Sequence, residues 1–203
     1  MNDVIQLFNI QKPIEFDFSN SLQDIYRQSF SDDTTACSSR NFFIILDNDK
    51  AQESSFYHGL LIENKTLNKQ KILIGKIHIY DSILSPVTTD FKKNLIEMEV
   101  VWIKRFLDGV VEHLTTRESE GRKLTNHNSI RMSLGHIINK IAEIGCLTVD
   151  DNVINVPVEK YISSIIESAC NELAKLAGGR AFLAGSIIDM LVTFKIINTI
   201  YLA

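Results

Sequence analysis

The chain is poor in cysteine: Cys37, Cys146 and Cys170 are an odd number among 203 residues, with no C-x-x-C spacing. That excludes a disulfide framework and argues against a paired-thiol metal site. Cys146 and Cys170 fall on apolar helical faces, where a thiol acts as a small buried hydrophobe. Such usage fits a reducing, cytoplasmic compartment. A basic surplus is lacking too. Lys and Arg number 21 against 25 Asp and Glu, a net charge of −4, and no Lys/Arg stripe offsets it, so nucleic acid is not the expected partner. The first residues, MNDVIQLFNIQKP, carry neither a basic n-region nor a long apolar core, so no secretory signal is expected. Nor is there a long apolar run free of charge. Residues 181–203 are long enough to span a bilayer but include Asp189 and Lys195. Each charge near mid-bilayer costs roughly 2.5–3.5 kcal/mol, and a buried helix accounts for the same apolarity. Recognisable catalytic or metal spacings are also scarce. His58, His78, His113, His127 and His136 form no H-x-x-x-H pair, and no P-loop or Ser/His/Asp grouping is evident.

What is present is a core-forming composition, 45% hydrophobic, enough for one mid-sized domain or two small ones. The pattern changes near Pro86. Before it the residues read as strands: Phe42–Leu46, Tyr57–Ile62 and Lys71–Tyr80, with Ile72, Ile74, Ile77 and Ile79 near strand spacing. Polar clusters at 47–55 and 64–70 read as turns. Residues 1–40 are irregular, apart from a short helix expected over Ser21–Phe30.

After Pro86 the period becomes helical. Leu95, Met98, Trp102, Phe106, Val110 and Leu114 recur at i, i+3/i+4, as do Ile130, Leu134, Ile137, Ile138, Ile141 and Ile144. Pro157, at a favoured first helical position, opens a third helix with a stripe of Tyr161, Ile162, Ile165, Ala169, Leu173 and Leu176. Gly178-Gly179 stops it, and a fourth helix runs from about Ser186 to Ile200. The expected class is α+β, with a partial antiparallel β-domain over 1–86 and an up-and-down four-helix bundle over 87–203. The last helix is apolar almost all round, which points to a partner chain covering it.

Two short constellations interrupt this pattern. Arg117-Glu-Ser-Glu-Gly121-Arg-Lys-Leu124 separates the first two bundle helices. Leu176-Ala-Gly178-Gly179-Arg-Ala-Phe182-Leu-Ala-Gly185 separates the last two. Their order and spacing over residues 42–203 resemble the middle and C-terminal domains of acyl-CoA dehydrogenases. In that family an R-x-x-F-G-x-x-L motif joins the first pair of bundle helices. A G-G-x-G/A-[FY]-L-x-G-like turn opens the last helix, which leads to a K-I-Y-x-I-Y-E-G-like ending, here Lys195-Ile-Ile-Asn-Thr-Ile-Tyr201-Leu-Ala203. The stretch from Ile77 to Pro86 is similar to the family's last β-domain strand, F-x-D-V-x-V-P.

The resemblance implies oligomerisation through the bundle. It also implies that Arg117, Gly121, Gly178 and Gly179 approach an FAD held mainly by a neighbouring subunit. A guanidinium suits diphosphate oxygens, and glycines let backbone N–H groups come close to phosphate. Lys175 stands where the family has a glutamine and also suits phosphate. Other positions depart from the pattern. Glu120 replaces the motif aromatic and repels a diphosphate. The family's catalytic glutamate, in Y-E-G, has Tyr201 near its place, and a phenol with an ordinary pKa near 10 is a poor base. Glu97 and Glu99 do not register with the alternative base position on the first bundle helix and read as solvated surface carboxylates. No counterpart of the family's N-terminal helical domain is expected, since residues 1–40 are too short to supply it. The expectation is therefore a non-catalytic or auxiliary subunit that assembles with a full-length FAD-dependent acyl-CoA dehydrogenase and completes its flavin site in trans. A flavin-free homo-oligomeric scaffold and a small FAD-dependent acyl-thioester oxidoreductase are the alternatives.

Overall fold

Residues 16–30, 36–39, 42–45, 61–76, 85–149, 155–182 and 186–202 are described by a computed structural model of the protein. Helix α1, Phe18–Ser29, starts where the Asp17 carboxylate accepts the Asn20 amide and buries Phe18, Leu22, Ile25 and Tyr26, one helical face. The polar cluster expected as a turn at 64–70 instead holds a short helix, α2, Lys65–Lys69. Asn64 accepts the amides of Thr66 and Leu67, so a residue type that suits turns here acts as an N-cap. Gln70 ties the two segments together: its amide nitrogen donates to the Phe16 carbonyl at 2.8 Å, and its oxygen accepts the Phe18 amide at 3.0 Å.

Strands β1 (Ala36–Ser39), β2 (Phe42–Ile45), β3 (Leu61–Ile62), β4 (Leu73–Lys76) and β5 (Ser85–Pro86) form a sheet in the order β3-β4-β2-β1-β5. Phe42 pairs with Lys76 and Ile45 with Leu73 across the antiparallel β2/β4 ladder. The sheet is mixed rather than wholly antiparallel, because β5 joins β1 in parallel. The parts of the expected strands at 46, 57–60 and 77–80, the turn at 47–55, and His58 and His78 lie outside the described residues.

Four long helices follow: α3 (Thr89–Thr115), α4 (Asn128–Thr148), α5 (Val156–Ala177) and α6 (Ile187–Tyr201). Thr88 caps α3 through its hydroxyl, and Asn155 caps α5, with Pro157 in its first turn. Side-chain pairs fix the helix directions. Lys92 and Glu159, each near a helix start, pair at 2.8 Å, so α3 and α5 run the same way. Lys140 pairs with Glu172, and the Tyr161 hydroxyl donates to Glu143, so α4 runs opposite to α5. Phe91 meets Tyr201, and Glu99 meets Asn198, so α6 runs opposite to α3. Helix α5 is central and packs against α3, α4 and α6.

The apolarity of α6 is largely accounted for within the chain. Besides α3 and α5, it contacts α2, and aromatic rings from the N-terminal segment cover it. Phe16 and Phe18 pack on Phe194, and Tyr26 reaches Tyr201. Residues on both sides of Pro86, including Leu67, Ile72 and Ile74, contribute to one core. The partner surface inferred from α6 therefore loses its main support. The exposed apolar side chains lie elsewhere, notably Met132, Ile138 and Val149 on and just past α4. Among the described residues no helix is long and apolar enough to cross a membrane.

Candidate anion-binding end of the helices

Because the four helices alternate in direction, the α3–α4 connection and the α5–α6 connection lie at the same end. Arg117 and Gly121 of the first motif and Gly178 and Gly179 of the second thus lie toward the same end of the helices. From Lys92 to the end of α3 is 23 residues, and from Glu159 to the end of α5 is 18. At 1.5 Å per residue, α3 extends about 8 Å further, so its hairpin stands beyond the glycine turn.

That hairpin pairs β6 (Glu118–Ser119) with β7 (Arg122–Lys123), Glu118 opposite Lys123 and Ser119 opposite Arg122. The Leu124 amide closes it by donating to the Arg117 carbonyl at 2.9 Å. Glu120 and Gly121 form the two-residue loop, with φ of 54° and 72°. Left-handed backbone at both positions marks the tight turn that suits a twisted hairpin, and it explains Gly121 without any ligand. The side chains of Arg117, Glu120, Arg122 and Lys123 are exposed.

The two glycines of the second motif are not equivalent. Gly178 has φ 57° and ψ −134° and terminates α5, its N–H donating to the carbonyls of Ala174 and Lys175. A side chain there is strained whatever the space around it. Gly179 has no positive φ, and a Cβ added there meets nothing within 4 Å. The fold itself gives no reason for a glycine at 179. Lys175 is exposed on the last turn of α5.

Helix capping distinguishes this end from the other. Thr88 and Asn155 cap α3 and α5 with side-chain oxygens at the far end. At the motif end, His127 and Ser186 precede α4 and α6 without making a side-chain cap; the Ser186 hydroxyl donates to the Ala181 carbonyl instead. Among the described residues no side chain caps the first N–H groups of these two helices, which carry partial positive charge. The buried Nε2 of His127 has no hydrogen-bond partner among the described residues. Neither the uncapped helices nor His127 stands out in the sequence, because Thr125, Asn126, Asn128 and Ser129 all offer cap-forming side chains around the start of α4.

Other candidates fare differently. Tyr201 is buried, its hydroxyl 3.2 Å from that of Tyr26, and belongs to the core. Cys170 is buried as expected, and burial pushes its thiol far up; Cys146 is exposed, because its turn of α4 faces away from α5. Tyr161, placed on the apolar stripe of α5, is half exposed and reaches Glu143 instead. Glu99, read as a surface carboxylate, is fully buried. A groove of about 420 Å³ between α1 and α3 is lined by Met98, Val101 and Trp102, with Arg105 stacked 4.8 Å over the indole. Its rim carries Asp24 and Glu97, which disfavour an anionic ligand. Among the described residues no three His, Cys, Asp or Glu side chains are grouped to hold a metal. No protein-family model matches the chain, and no curated protein matches it either.

Proposed function

We propose that the chain is a non-catalytic subunit of an acyl-CoA-dehydrogenase-like assembly, lending the Arg117–Gly179 end of its helices to an FAD diphosphate held mainly by a partner subunit. The up-and-down four-helix arrangement inferred from the sequence is part of this reading. What supports it is that Arg117, Gly179 and the starts of α4 and α6, which no side chain caps among the described residues, all lie toward one end of the helices. Arg117 would pair with a phosphate oxygen, and Gly179 would let backbone N–H groups approach another. FAD would supply the redox chemistry; these residues only bind and orient it. The burial of Tyr201 and Glu99 supports a role other than proton abstraction from a substrate. The exposed carboxylate of Glu120 favours a second reading, a flavin-free scaffold, because it opposes anion binding at the hairpin tip.

Co-expression with a full-length acyl-CoA dehydrogenase, followed by size-exclusion chromatography, tests the assembly. The expected result is a stable mixed complex carrying the yellow flavin absorption. A homo-oligomer with no affinity for the dehydrogenase overturns it.

A further inference from the structure

The interior contact between α3 and α6 contains a carboxyl and a carboxamide in an incomplete arrangement. Glu99 and Asn198 are both buried. The Asn198 amide nitrogen donates to Glu99 Oε2 at 3.2 Å, while Glu99 Oε1 and Asn198 Oδ1 have no partner among the described residues. With Glu99 ionised, both orphaned atoms are acceptors and cannot bond to each other. One proton on Oε1 turns it into a donor for Oδ1 and completes a two-bond acid–amide ring. Burial also pushes the Glu99 carboxyl well above the usual carboxylate range, outweighing the opposite effect of the Asn198 hydrogen bond.

We infer that Glu99 is the protonated half of a carboxylic acid–carboxamide pair with Asn198, which makes the docking of α6 on α3 a proton-dependent latch. The surrounding groups offer no counter-cation. From α5, Cys170 faces the pair as a neutral thiol, and Glu167, which adds negative charge near Cys170, is paired with Lys195 at 2.8 Å. One turn further along α6, Tyr201 meets Tyr26 of α1 through their hydroxyls. Among the described residues no ion pair reaches Glu99. The latch is independent of the flavin reading, since it lies in the core.

The direction of the pH effect follows from linkage. The folded state holds the proton to higher pH than the unfolded chain does. The latch is therefore fully stabilising below the ordinary glutamate pKa of about 4.5 and weakens as pH rises from there until Glu99 ionises in the folded state as well. Within that window the folding constant falls about tenfold per pH unit on account of this one proton.

Urea unfolding of wild type and Glu99→Gln in pH steps upward from 5 tests it, because glutamine supplies a permanent donor in place of the carboxyl proton. The expected result is that wild type loses about tenfold more in folding constant per pH unit than the variant; parallel profiles overturn the latch. Infrared spectroscopy of the wild-type protein, titrated upward from pH 5, provides a check that needs no variant. A protonated-carboxyl stretch that persists in the folded state and disappears on unfolding is expected, and a folded spectrum without it overturns the proposal.

Discussion

Gly178 and Gly179 are adjacent and identical in composition, yet the structure assigns them different work, and replacing each with alanine separates the two. At Gly178, φ 57° with ψ −134° lies where L-residues are strained by about 1–3 kcal/mol. Loss of unfolded-chain entropy on going from glycine to alanine returns about 0.4–1 kcal/mol, leaving a net cost of up to about 2.6 kcal/mol. For a chain of this length that lowers Tm by up to about 10 °C. At Gly179 there is neither a positive φ nor a neighbour within 4 Å of an added Cβ. Alanine should therefore be neutral or slightly stabilising, by up to about 1 kcal/mol. Urea and thermal unfolding followed by far-UV circular dichroism measure both. Equal losses at the two positions, or a larger loss at 179, would refute the distinction, and with it the argument that Gly179 is kept for something other than folding.

Three further outcomes follow from the packing. Phe194→Ala should cost about 3–5 kcal/mol, because Phe194 joins α6 to Phe16 and Phe18; a loss under about 1 kcal/mol in urea unfolding would mean that the N-terminal segment does not cover α6. Asn155→Ala removes the cap that accepts the Val158 amide and should cost about 0.5–2 kcal/mol, read from the same titration. A maleimide reagent should label exposed Cys146 in the native protein while sparing Cys170, whose thiol is buried and kept protonated; mass spectrometry that finds Cys170 modified without unfolding would contradict this.

Much of the helical half was legible in the sequence because its stripes are long and periodic. The path Leu95, Trp102, Phe106, Val110, Leu114 is buried as the spacing requires, and Gly178 ends α5 where a positive φ is needed. Two kinds of error have physical causes. Glu99 was assigned by residue type, as a surface charge, although it stands four residues after Leu95 and three before Trp102 on the same face; position outweighed polarity, and the proton resolves the conflict. Periodicity alone puts Tyr161 and Cys146 on apolar faces, and it cannot reveal that α4 packs chiefly against α5 among the described residues and leaves Ile138 and Met132 exposed. The covering of α6 by Phe16, Phe18 and Tyr26 is a long-range contact, across more than 170 residues, and no local pattern announces it. At the motif end, the sequence supplied Arg117 and the glycines. The up-and-down order expected from the sequence puts them toward one end; the starts of α4 and α6, which no side chain caps among the described residues, emerge only in three dimensions.

The flavin content of the co-purified complex, read from its visible absorption with wild-type chain and with Arg117→Ala, tests the central claim most directly. The account predicts unchanged assembly with flavin bound about tenfold more weakly, the size of one lost charge-assisted contact. Equal flavin retention in the two complexes would contradict it.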